Sequence, residues 1–119
     1  MGEKLQDYVR TFRVAAIEKG DDPSTPRGLQ LYEQMAAAYH ALMASGPDGR
    51  RAFEELLTDE SMHVRVWVAA ALLHGGDPKA RSVLEAITAV KGIVGWEAEV
   101  TLQEYDAGRL GSPFPPRGA

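Results

Sequence analysis

Leu56-Leu57-Thr58-Asp59-Glu60-Ser61-Met62-His63-Val64-Arg65-Val66-Trp67-Val68-Ala69-Ala70-Ala71-Leu72-Leu73 reads as the end of one helix, a tight polar turn and the body of a second helix. From Val66 to Leu73 the chain runs through eight uncharged apolar residues, so a helix here must be buried around most of its circumference. Two packed antiparallel helices of this kind form the unit of an α-helical repeat. The stretch points toward protein contact rather than toward chemistry.

Apolar residues at Leu5, Tyr8, Val9, Phe12, Ala15, Ala16 and Ile17 have the three-and-four spacing of one helix face, which predicts a helix over 4–19. Gly20 to Pro26, with two prolines and a glycine, breaks it. Ser24 or Thr25 is placed to cap a second helix over 26–44, with Leu29, Tyr32, Met35, Ala36, Tyr39, Leu42 and Met43 turned inward. Gly46 to Gly49 ends that helix, and a third follows over 47–58 with Phe53, Leu56 and Leu57 as its core contacts. Ser61 is the natural cap of the fourth, which runs to His74 and stops at Gly75-Gly76. Asp77-Pro78 restarts the chain for a fifth helix over 78–90, burying Ala80, Val83, Leu84 and Ile87, and a sixth spans 94–106. Residues 1–107 thus read as a single all-α domain of about six helices, a short α-solenoid of antiparallel pairs. The glycine- and proline-rich residues 108–119 read as a tail anchored by Leu110 and Phe114.

An internal echo supports a repeat. Trp67, Ala69, Ala71 and Leu73 recur at a constant offset of 29 as Trp96, Ala98, Val100 and Leu102. Both tryptophans begin apolar helices, which assigns them to the core; an indole partly exposed on a groove would instead be an interface anchor.

At Leu56-Leu57-x-Asp59 and Val64-Arg65-x-x-x-Ala69-Ala70-x-Leu72 the sequence resembles a HEAT repeat. In that family an aspartate near the turn and an arginine early in the second helix make polar contacts that join neighbouring units, and the matching positions are Asp59 and Arg65. The likeness covers about forty residues. The next unit matches only in part, because Glu97 to Val100 contain no equivalent of Val64-Arg65, as suits a terminal capping repeat. The whole chain is also similar to small bacterial HEAT-like domains, a resemblance that implies a binding scaffold.

The 119 residues carry 13 basic and 17 acidic side chains, a net charge of -4, which argues against a duplex nucleic acid partner. The chain has no cysteine, which removes disulfides, thiolate nucleophiles and cysteine-based metal sites. Met-Gly-Glu-Lys followed by no apolar run is not the pattern of a secretory signal, and no segment is long enough to span a bilayer, so a cytoplasmic location is expected.

His63 and His74 share one predicted helix about 16 Å apart, too far for one metal site, and no His-x-x-x-His pattern occurs. The serines lie in no Gly-x-Ser-x-Gly elbow, and Gly75-Gly76-Asp77-Pro78 lacks the lysine of a phosphate loop. Neither a catalytic constellation nor a cofactor or metal site is expected.

Glu97 and Glu104 lie two turns apart on one face, with Thr101 between them and Asp106 beyond. They form either an ordinary solvated face or, with His63, a contact strip for a basic partner. The expectation is a non-catalytic protein-binding module, most specifically an immunity protein that occludes a basic toxin domain; that last step rests on resemblance. The alternatives are a structural or regulatory subunit that dimerises through an apolar helix face and, less favoured by charge, an enzyme or nucleic-acid-binding HEAT-like protein.

Overall fold

A computed structural model describes residues 2–22 and 24–116, so Pro23 of the predicted breaker and residues 117–119 of the predicted tail lie outside the described residues. The fold is all-α. Six helices, α1 (Gly2–Asp21), α2 (Gly28–Ala44), α3 (Pro47–Glu55), α4 (Met62–His74), α5 (Lys79–Ile87) and α6 (Ile93–Asp106), are joined by short turns, with a 3₁₀ turn at Leu56–Thr58, and no strand occurs among the described residues. The helices fall into two compact units, Met1–Leu56 and Leu57–Ala119. In each unit three helices touch one another pairwise. The division falls inside the 47–58 and 61–74 pair that carries the HEAT resemblance.

In the first unit Phe12, Leu31, Met35, Leu42 and Phe53 are fully buried, with the Phe53 ring meeting Phe12 and Tyr39 edge-on at 5.4 and 5.0 Å. Burial raises the Tyr39 phenol pKa, and the nearby Arg50 charge partly offsets the shift. Small residues at Ala15 and Ala16 on α1 and at Ala36 and Ala38 on α2 are buried as well, as suits closely approaching helices. They rotate the buried stripe of α2 onto Leu31, Met35, Ala38 and Leu42, and this corrects the inward placement of Leu29, which is 71% exposed. Helix α2 begins without a side-chain cap, and the Thr25 hydroxyl instead accepts the Arg27 N–H within the preceding turn.

In the second unit α4 is buried at Val64, Val66, Val68, Ala69, Ala71 and Leu73, as its uniform apolarity requires. Ser61 caps it by accepting the Val64 N–H. Val66, Ala69 and Leu73 share a core with Ala80, Leu84 and Ile87 of α5 and Val94 and Ala98 of α6. At the end of α4 it is Gly76, not Gly75, that takes the left-handed conformation (φ +94°). There the Asp77 N–H reaches the Leu72 carbonyl and the Gly76 N–H reaches that of Leu73, the paired bonds of a Schellman motif. Asp77 then accepts the Lys79 N–H to start α5.

A different internal echo appears at the helix junctions. Gly46-x-x-Gly49 leads from α2 into α3, and Gly92-x-x-Gly95 leads from α5 into α6. In each, the first glycine caps the helix at positive φ and the second lies against a backbone carbonyl of the preceding segment, Leu42 or Val90. A side chain at either second glycine would overlap that carbonyl.

Candidate functional site

The offset-29 echo does not place the two tryptophans alike. Trp67 is the sixth residue of α4 and Trp96 the fourth of α6. Trp67 is half-buried and stacks on Phe114, with ring centroids 5.6 Å apart and planes at 25°. Trp96 is 63% exposed, which corrects its expected core placement. Of the four echoed pairs, only Ala69 and Ala98 are buried in the same core.

Trp96 has company. Ile93, three residues earlier, is 58% exposed, and half-buried Val100 continues the same face one turn on. Glu99 and Gln103, joined by a 3.4 Å hydrogen bond from the amide to the carboxylate, border this apolar ridge. Glycines at 92 and 95 let α6 start abruptly and seat its opposite side, Val94 and Ala98, in the core.

Beside the ridge the second unit holds a cavity of about 250 Å³. Val66, Trp67 and Ala70 of α4 form one wall, Glu97 and Thr101 of α6 another, and Leu110 and Pro113 of the C-terminal segment close the third side. The segment is held in place by the fully buried Phe114 ring and by His74, whose Nδ1 donates to the Leu110 carbonyl at 3.0 Å. The anchoring expected of Leu110 and Phe114 is therefore present through residue 116. The Thr101 hydroxyl donates to the Glu97 backbone carbonyl at 2.8 Å.

Two acids of the expected strip are paired with arginines of the same chain. Asp106 accepts two hydrogen bonds from Arg81, at 2.7 and 3.2 Å, and Glu104 accepts two from Arg109, at 3.1 and 3.2 Å. These bonds lower both carboxyl pKa values and raise those of the two guanidiniums. Glu104 and Asp106 are thus paired with arginines; Glu97 and Thr101 line the cavity, and His63 is half-buried in the first turn of α4. Arg109 reaches Glu104 because the left-handed Gly108 folds the chain back after α6. The Asp59 carboxylate takes the Ser61 N–H, while among the described residues the buried Arg65 Nε has no hydrogen-bond partner.

Among the described residues no group of three or more histidine or carboxylate side chains is arranged to hold a metal ion, and no helix is long and apolar enough to cross a membrane. The chain matches no family model, no curated protein and no solved structure.

Proposed function

We propose that this protein is a protein-binding module whose docking face is the outer side of α6. The carrying observation is the pairing of Trp96, 63% exposed, with Ile93, 58% exposed, one helical turn apart. Single exposed apolar residues are ordinary on protein surfaces; two adjacent large ones on a helix, one of them tryptophan, match the composition of interface hot spots. Glu97 and Glu99 border the ridge, and the chain carries a net charge of -4, so the partner that fits is a basic protein. In its most specific form, which rests on the HEAT resemblance, the reading is an immunity protein whose α6 face covers the active site of a basic toxin domain.

The test is capture of the partner by the unaltered chain and by Trp96→Ala and Glu99→Lys variants. The Trp96 change should abolish capture without lowering thermal stability, and the Glu99 change should weaken it and flatten its salt dependence. The same apolar ridge favours one other reading, a dimer of this chain, which sedimentation at twice 12.9 kDa and its loss in Trp96→Ala would establish.

A further inference from the structure

We infer that residues 110–114 are an intramolecular ligand, and that the surface of α4 and α6 beneath them is a groove for an extended segment of a partner protein built on the same pattern, a phenylalanine flanked by prolines. The segment of this chain is then a strap that the partner's segment displaces. The inference goes beyond the docking reading and needs neither Trp96 nor Ile93.

The groove's own occupant shows what it takes. The Phe114 ring is 1% exposed and stacks on Trp67 of α4, whereas Gly111 and Pro115 on either side are exposed, so burial is concentrated in one ring. His74 bonds to the Leu110 carbonyl, a backbone group that any segment in that place would present. The bend at the ring is internal to the segment, since the Ser112 hydroxyl accepts the Phe114 N–H. Pro113 and Pro115 fix φ on both sides of the ring and so reduce the entropy lost on docking. A segment not joined to α6 would keep each of these contacts. In this chain the joining is done by the reversal at Gly108 (φ +73°), braced by Arg109 on Glu104. The strap also leaves its groove incompletely filled. About 250 Å³ remains between Leu110 and Pro113 on one side and Val66 and Ala70 on the other, and an added Cβ at Gly111, part of the same lining, meets nothing within 4 Å. A partner segment with a bulkier residue there gains contact that the strap lacks, which offsets the advantage the strap has from being tethered.

The test uses full-length chains and a capped synthetic peptide of residues 109–116, following the two tryptophan indole N–H resonances by NMR, with Trp96 as the internal reference. In a Phe114→Ala chain, whose strap has lost its anchor, the peptide should move the Trp67 resonance saturably at millimolar concentration and toward its position in the parent. The parent should bind the peptide at least about tenfold more weakly, because its own strap holds the groove. Gly108→Pro keeps every groove and strap side chain but forbids the positive φ of the reversal, and it should take up peptide as Phe114→Ala does. The same peptide carrying Phe114→Ala should leave Trp67 unmoved. A Trp67 resonance unmoved by the parent peptide in both variant chains, equal binding by parent and variants, or equal binding of the phenylalanine and alanine peptides would overturn the inference. The docking reading fails separately, by partner capture that is indifferent to Trp96→Ala, because the peptide assay needs no partner.

Discussion

Replacing Gly95 by alanine should destabilise the protein, although the same change in an ordinary helix interior stabilises it by about 1 kcal/mol through helix propensity. The sign reverses because of what the new methyl would meet. An ideal Cβ at Gly95 would overlap the Val90 carbonyl oxygen, and it would lie 3.0 Å from the Val90 carbonyl carbon and 3.3 Å from the Ile87 carbonyl oxygen. None of these atoms ends a flexible side chain, so relief requires α6 to move off the end of α5, loosening the contacts of Val94 and Ala98 with Leu84 and Ile87. Overpacking costs about 1–3 kcal/mol, and a backbone obstacle belongs at the upper end. Subtracting the propensity gain leaves a net loss of about 2 kcal/mol, or about 8 °C in midpoint at ~4 °C per kcal/mol for a chain of this size. Urea and thermal unfolding followed by circular dichroism measure it. Gly111→Ala, where a methyl meets nothing within 4 Å, is the control and should shift the midpoint by less than about 1 °C. A Gly95→Ala protein as stable as the parent would refute the close-approach reasoning.

Gly49→Ala should show the same sign, since its Cβ would overlap the Leu42 carbonyl oxygen and sit 2.9 Å from the Ser45 Cβ. Phe114→Ala should cost about 2 kcal/mol, below the ~3–5 kcal/mol usual for a buried aromatic because a terminal segment can detach instead of leaving a rigid void; increased amide exchange over 108–116 reports it. Because Arg81 and Arg109 hold the Asp106 and Glu104 carboxyls below their usual pKa, these pairs support folding above the ordinary carboxylate range and lose that support as pH falls through the lowered values. Asp106→Asn with Glu104→Gln should therefore flatten the acid side of the pH–stability profile while changing neutral stability little, as suits exposed pairs.

Where helices start and stop was legible, since Gly46, Ser61, Gly75-Gly76, Asp77-Pro78 and Gly92 interrupt helical hydrogen bonding in ways that side-chain chemistry announces. Facing was less so. In α6 the apolar residues Ile93, Val94, Trp96, Ala98, Val100 and Leu102 crowd every side, and no stripe distinguishes the core face from the outer one. The face is set by Gly95, the position that permits close approach to Val90, and a glycine inside a helix does not by its type reveal which way it points. In α2 the alanines count as weakly apolar, yet they define the packed stripe and displace Leu29 outward. The pairing of Asp106 and Glu104 was not legible because the arginines are remote in sequence or beyond a turn: Arg81 belongs to α5, and Arg109 returns only through the reversal at Gly108. The cavity needed α4, α6 and the C-terminal segment together, and of these only the segment's anchors Leu110 and Phe114 were legible.

The most direct measurement of the docking reading is amide-exchange protection of this chain with its captured partner, alongside capture by Trp96→Ala and by Leu29→Ala as an exposed apolar control on α2. The account predicts a basic partner, new protection concentrated over residues 93–103, loss of capture with Trp96→Ala and full capture with Leu29→Ala. Undiminished capture by Trp96→Ala, with protection lying outside α6, would contradict it.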